Sequence, residues 1–107
     1  MALPPTQSQL HEPDTRPYFL WWTDVTVATF RALLRSPDPA EGAYWLGALL
    51  REANTRDVWL FTTPSEIRRA WPRLLRHLGR SRSMWGYLLG LDATWPPLAA
   101  PRTSTDA

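Results

Sequence analysis

Residues 63–91 read TPSEIRRAWPRLLRHLGRSRSMWGYLLGL, which predicts a helix, a stop at Gly79 and then a second helix. On a helical wheel, the apolar residues of the first of these helices share one side and its arginines fall on the other. The apolar side holds Ile67, Trp71, Leu74, Leu75 and Leu78, and the opposite side holds Arg69, Arg73 and Arg76. One side can therefore enter a core, while the other presents guanidinium groups to water or to an anionic partner.

The length of 107 residues allows one domain. Proline and polar residues dominate both ends, which predicts disordered tails at residues 1–16 and 92–107 and a single helical domain at 17–91. A domain this short is marginal unless its core is dense. Six of the seven tryptophans lie between residues 17 and 91, and large aromatic side chains are one way to stabilise so small a core.

The capping pattern along the chain predicts an all-α fold, a small bundle of about four short helices. The expected helices span 27–35, 39–53, 63–78 and 82–91, with a kink or break where Pro72 follows Trp71. The aromatic run at 17–22 has no helical period and is expected to form an extended arm or a short strand across the bundle. The expected core comprises Phe19, Leu20, Phe30, Leu34, Trp45, Leu46, Leu49, Leu50, Trp59, Ile67, Trp71, Leu74, Leu78, Trp85 and Leu88.

Positive charge is concentrated in one segment of the chain. The formal net charge is only +2, yet residues 64–82 hold six arginines against the single acid Glu66. The predicted partner-binding residues are Arg69, Arg73, Arg76, Arg80 and Arg82. The same arginines also fit a solvated outer face, which amphipathic helices commonly have. If they are functional, their partner is an acidic protein surface or nucleic-acid phosphate.

The two helices around Gly79 also raise the possibility of a DNA-binding helix-turn-helix. A recognition helix carries polar groups for base edges near its start, but here only Arg82 and Ser83 qualify. A packed helical hairpin is therefore the better interpretation. Non-specific nucleic-acid binding through the arginine-rich helix face stays as the alternative function.

The sequence lacks the residue patterns that most catalytic and metal sites need. It contains no cysteine, its two histidines, His11 and His77, are isolated, and it has no glycine-rich phosphate loop or nucleophile–base arrangement. We therefore expect a non-catalytic protein with no cofactor and no metal. No signal-peptide pattern or membrane-length apolar run is present, so the expectation is a cytoplasmic protein without a membrane partner.

Several motifs together resemble a group of small uncharacterised bacterial helical proteins. They are Pro17-Tyr18-Phe19-Leu20-Trp21, Asp24-Val25-Thr26, Leu50-Arg51-Glu52-Ala53, Asp57-Val58-Trp59, Thr63-Pro64-Ser65-Glu66-Ile67 and Trp71-Pro72-Arg73-Leu74. The resemblance spans about residues 17–89, although Trp22 stands where the group often has a polar or acidic residue. Members are often encoded beside abortive-infection type nucleotidyltransferase toxins. The resemblance therefore implies an antitoxin-like or accessory protein-binding role, with no catalytic residues to carry over.

Overall fold

The computed structural model describes residues 8–93, and across this range the predicted all-α fold is confirmed, with no strand. The α-helices are α1 (Val27–Leu34), α2 (Pro39–Glu52), α3 (Thr55–Val58), α4 (Pro64–Leu74) and α5 (Ser81–Leu89). Three short 3-10 helices cover Ser8–His11, Tyr18–Leu20 and Leu75–His77. Of the predicted tails, residues 1–7 and 94–107 lie outside the described part of the chain.

Helix α2 lies at the centre of the bundle. Each of the other four α-helices contacts or adjoins it directly, as do the 3-10 helices Tyr18–Leu20 and Leu75–His77. Its buried residues are Ala43, Leu46, Gly47, Ala48, Leu49 and Leu50. So wide an apolar surface on one helix explains how short neighbours, unable to bury their own apolar faces alone, share a single core.

The helix starts follow the predicted capping chemistry. The Thr26 hydroxyl accepts a hydrogen bond from the Thr29 N–H, and the Asp38 carboxylate accepts one from the Ala40 N–H. At the start of α4, Thr63 and Glu66 form a reciprocal capping box. These caps set where α1, α2 and α4 begin.

The sequence predicts a break in the helical pattern at residues 54–57, followed by a helical turn or a brief extended segment at 58–61. The break is wrong, because residues 55–58 form helix α3, which the Asn54 side chain caps by accepting the Arg56 N–H at 3.1 Å. Residues 59–61 continue as a turn. The described range thus holds five α-helices, one more than the pattern suggested.

The sequence predicted a kink or a break at Pro72, and the helix is not broken there. Helix α4 continues through Pro72 to Leu74 and only then tightens into the 3-10 turn Leu75–His77. Pro72 has no N–H to donate to the Arg68 carbonyl, but both residues lie on the exposed side, where water can satisfy that carbonyl.

The N-terminal segment is more ordered than the sequence predicted. The arm forms a 3-10 helix at Tyr18–Leu20, so the expectation of an extended arm or strand is wrong. Its Phe19 ring packs edge-on against Phe30, with centroids 5.4 Å apart. Upstream, within the predicted tail, Leu10 is fully buried, and the Thr15 carbonyl accepts the Val27 N–H at 2.8 Å. Residues 8–16 therefore contribute to the core, which extends the domain before residue 17.

Most of the predicted core is buried, with two clear errors. Trp59 is 43% exposed and Leu88 is 50% exposed. Helix α5 instead turns Trp85 and Gly86 inward, and the Trp85 indole N–H donates to the Leu50 carbonyl at 2.9 Å. Leu34 and Trp45 pack against the core but are only partly buried. The buried hydrophobic residues of the described range that the predicted core lacked are Leu10, Val27, Ala43, Ala48, Val58 and Leu75.

Candidate partner-binding pocket

A pocket of about 230 Å³ lies where α1 and α4 meet the N-terminal half of α2. Its apolar lining is formed by Leu34, Ala43, Leu46, Phe61 and Ala70. Its charged lining consists of Arg31, Arg35, Arg69 and Arg73, with Glu66 as the single acidic residue. The pocket therefore combines an apolar surface with an excess of positive charge.

The four arginines come from two helices as two pairs with the same spacing. Arg31 and Arg35 are four residues apart on α1 and its C-cap, and Arg69 and Arg73 are four residues apart on α4. Residues separated by four positions lie on one side of a helix, so each helix directs one pair toward the same pocket. Gathering like charges in this way is unfavourable without an anion and becomes favourable when an anion binds.

The guanidinium group of Arg31 is held in place by its own neighbours. It lies 4.5 Å from the centre of the Phe61 ring, and its Nη1 donates to the Leu60 carbonyl at 3.1 Å. These contacts restrict the rotamers of a long side chain before any ligand arrives. By contrast, Arg35, Arg69 and Arg73 make no ion pair or side-chain hydrogen bond with any residue in 8–93.

Glu66 does not neutralise the arginines of the pocket. Its Oε1 accepts hydrogen bonds from the Thr62 hydroxyl at 2.9 Å and the Thr63 N–H at 3.1 Å. These contacts hold the carboxylate at the start of α4, where the helix dipole also favours a negative charge. No ion pair joins it to an arginine among the described residues.

The structure divides the predicted site residues into two sets. Arg69 and Arg73 line this pocket, and Arg73 and Arg76 line an adjoining, larger depression of about 470 Å³ that also includes Pro39 and Ala43. Arg80 precedes α5 and Arg82 lies in its first turn, and neither lines the pocket or the depression. The predicted arginines up to Arg76 therefore line the pocket or the adjoining depression, whereas Arg80 and Arg82 lie apart from both.

Arg31 and Arg35 were not among the predicted site residues, because that prediction rested on the net charge of each stretch of sequence. Residues 1–63 carry more acids than arginines, so no basic segment stood out there. The four-residue spacing of Arg31 and Arg35 on the predicted first helix could have indicated a second arginine pair. Arg69 and Arg73 have the same spacing on the predicted third helix. Only the packing of both helices against α2 brings the two pairs into one pocket.

His77 borders the adjoining depression and is partly buried. Burial lowers the pKa of His77 from its usual value, and the nearby charges of Arg76 and Arg51 lower it further. The Arg51 guanidinium also donates to the His77 carbonyl at 2.7 Å. A neutral imidazole is therefore favoured at this edge of the basic surface.

Asp57 is fully buried away from the pocket. The Tyr18 hydroxyl donates to its Oδ2 at 2.5 Å and itself accepts the Asn54 N–H at 2.7 Å. These contacts tie the N-terminal arm to the start of α3. Asp57 therefore has a structural explanation for its burial.

Within 8–93, no three histidine, aspartate or glutamate side chains are grouped so that they could hold a metal ion. In the same range, no helix has both the length and the apolar character that crossing a membrane requires.

Comparison of the chain with protein-family models, curated proteins and solved structures finds no match.

Proposed function

We propose that this protein is a non-catalytic protein-interaction module, with an antitoxin-like or accessory role toward a nucleotidyltransferase. One observation supports the binding role. Two arginine pairs, one on α1 and one on α4, line a single pocket, and the one carboxylate of that pocket, on Glu66, already accepts hydrogen bonds from Thr62 and Thr63. The nucleotidyltransferase as partner comes from the sequence resemblance. Arginine is also among the residues enriched where interfaces gain most of their energy.

The chemistry of the pocket favours binding over catalysis. Guanidinium groups remain protonated at physiological pH, so the pocket's arginines do not serve as general acids and bases. They can hold an anion by charge and by paired hydrogen bonds. The one carboxylate in the lining, that of Glu66, is committed to capping α4.

A protein partner is favoured over nucleic acid by the surroundings of the arginines. Single-stranded nucleic acid is usually held by a basic groove together with aromatic rings on which bases stack. Phe61 is the aromatic residue that lines this pocket, and Arg31 already lies over its ring. The exposed Trp21 and Trp59 do not line the pocket, so they offer no stacking surface beside these arginines.

Co-expression with the product of the adjacent gene, followed by co-purification, tests the proposal. The decisive variant is Arg69→Glu with Arg73→Glu, which reverses one pair in the pocket. Its matched control is Arg56→Glu with Arg68→Glu, which makes the same charge change at exposed arginines outside the pocket.

We expect the partner to co-purify with the wild type and the control but not with the pocket variant. Absence of any complex when both proteins are folded would contradict the proposed function. Equal loss in the pocket variant and the control would show attraction by overall charge and remove the pocket from the proposal.

A further inference from the structure

We propose that the pocket binds an acidic segment of a partner protein in which a carboxylate side chain lies next to a bulky apolar side chain. This inference rests on the proposed function and specifies the ligand of the same site. Three properties of the pocket support it: its unpaired guanidinium groups, its apolar lining and its size.

The carboxylate follows from the arginines. Arg35, Arg69 and Arg73 have no ion-pair partner among residues 8–93, so their charges are available to a ligand. The planar guanidinium fork matches a carboxylate with two parallel hydrogen bonds. Because the pairs come from α1 and α4, an acidic segment crossing between these helices would meet guanidinium groups on both sides.

The apolar neighbour follows from the rest of the lining. Leu34, Phe61 and Ala70 are only partly buried, so the pocket retains apolar surface that a ligand can remove from water. Burial of apolar surface is favourable roughly in proportion to its area. A purely anionic ligand would satisfy the arginines and leave this surface uncovered.

The size of the pocket indicates how a segment would enter it. Its volume is about 230 Å³, below the roughly 300–1,000 Å³ typical of pockets that enclose drug-sized ligands. The adjoining depression has a volume of about 470 Å³ and shares Pro39, Ala43 and Arg73 with the pocket. One or two side chains of a segment therefore fit in the pocket, a neighbouring side chain can reach the depression, and the backbone would lie across the mouth.

Part of the pocket is already ordered for such a ligand. Arg31 is fixed by Phe61 and the Leu60 carbonyl, and Glu66 is fixed by Thr62 and Thr63. Prior ordering reduces the entropy lost when a ligand binds. The position of Glu66 also disfavours acidic groups at the start of α4, which gives the segment a preferred placement.

Three fluorescently labelled peptides and one oligonucleotide test the inference. The probe peptide alternates glutamate and leucine over five residues, as Glu-Leu-Glu-Leu-Glu. One control replaces each glutamate with glutamine, and the other replaces each leucine with serine. A labelled oligothymidine of similar length represents nucleic acid, and anisotropy is recorded at low and high salt with the wild-type protein.

We expect saturable binding of the Glu-Leu peptide at low salt that weakens as salt rises. Removing the carboxylates or the leucines should each weaken binding about tenfold or more, because charge-assisted contacts or apolar burial are then lost. The protein variant Arg69→Glu with Arg73→Glu should weaken it at least as much, and Arg56→Glu with Arg68→Glu should weaken it less than threefold.

A second variant tests the apolar lining from the protein side. Ala70→Phe fills the pocket without changing its charge, and Ala32→Phe adds the same side chain at an exposed position of α1 outside the pocket. We expect the first, if its circular dichroism is wild-type, to abolish peptide binding and the second to preserve it. Should Ala70→Phe fail to fold, the serine peptide carries the same test.

Each contrary result identifies what has failed. Equal affinity for the leucine and serine peptides overturns the inference, as does tighter binding of oligothymidine than of the Glu-Leu peptide. No saturable binding of the Glu-Leu peptide at millimolar concentration also overturns it. If the adjacent-gene product is still captured by the wild type and lost in the pocket variant, the proposed function stands without this ligand assignment.

Discussion

Helices α4 and α5 follow one another in the chain but use their apolar residues differently. Helix α4 separates its residue types, with Ile67 and Trp71 buried and its arginines exposed. Helix α5 is apolar on more than one side: Trp85 is fully buried, while Met84, Tyr87 and Leu88 are 42%, 86% and 50% exposed. A sharp division of residue types identifies the buried side of a helix, whereas a helix with apolar residues all around it does not.

The difference extends to how each helix is anchored. Both tryptophans donate an indole hydrogen bond to a backbone carbonyl, Trp71 to Asp92 at 2.8 Å and Trp85 to Leu50 at 2.9 Å. A buried indole N–H needs such a partner, so a tryptophan is buried at low cost only where an acceptor lies within reach. In α5 the Leu50 carbonyl is that acceptor for Trp85, while Leu88 lies half-exposed.

The largest effect should come from the two anchoring tryptophans. Trp71→Ala and Trp85→Ala should each lower the free energy of unfolding by about 3–5 kcal/mol, because each leaves a large cavity and removes an indole hydrogen bond, buried for Trp85 and part-buried for Trp71. Urea unfolding followed by circular dichroism measures the change. An unchanged midpoint for Trp85→Ala would mean that α5 packs through a different side.

The next largest effect should come from two glycines that the residues following α4 and α5 approach closely: His77 approaches Gly47, and Leu91 approaches Gly86. A Cβ at Gly47 would lie 2.5 Å from the His77 Cβ, and one at Gly86 would lie 2.8 Å from the Leu91 carbonyl oxygen. We expect Gly47→Ala and Gly86→Ala each to cost about 1–3 kcal/mol through overpacking, despite the higher helix propensity of alanine.

Gly42→Ala is the matched control for the glycine variants. Its added Cβ would lie 3.4 Å from the Leu34 carbonyl oxygen, at the edge of ordinary contact. We expect it to leave unfolding unchanged or to stabilise the fold by up to about 1 kcal/mol. If Gly47→Ala melts like Gly42→Ala, the close approach of α2 to residues 75–77 is not required.

A smaller, pH-dependent effect should arise just after α4. Since the pKa of His77 is lowered in the folded protein, the unfolded chain binds a proton more readily. Stability should therefore fall as the pH decreases from above the unfolded value, about 6.5, toward the lower folded value. Denaturation midpoints at pH 7.5 and 5.5 measure this, and His77→Gln should reduce the difference. An equal pH dependence in both proteins would exclude His77 as the source.

The smallest effect is expected on the outer side of α5. Leu88→Ser should change the free energy of unfolding by less than about 1 kcal/mol, because half of the side chain is already exposed. Thermal melting beside Trp85→Ala gives the contrast within one helix. A loss at Leu88 as large as that at Trp85 would restore the inward orientation expected from the sequence.

The same contrast explains what the sequence could predict. Capping residues such as Thr26 and Asp38 act locally, so the starts of α1 and α2 follow from short-range chemistry. Burial of Leu10 depends on contacts distant in the chain and has no local signal. The pocket required the same long-range information, since Arg69 and Arg73 were identifiable on one helix but their meeting with Arg31 depends on packing against α2.

The central position of α2 has a consequence for how the protein opens. Every other α-helix of residues 8–93 contacts or adjoins α2, and their contacts with one another are less extensive, so we expect the outer helices to lose their shared core once α2 is lost. The amide hydrogens of residues 46–50 should therefore exchange with solvent only when the whole domain unfolds, whereas those at the end of α5 should exchange through local fraying. The slowest-exchanging amides would report the global free energy of unfolding. A ligand bound between α1 and α4 would stabilise the whole fold and so slow the exchange of amides along all of α2, including those it does not contact.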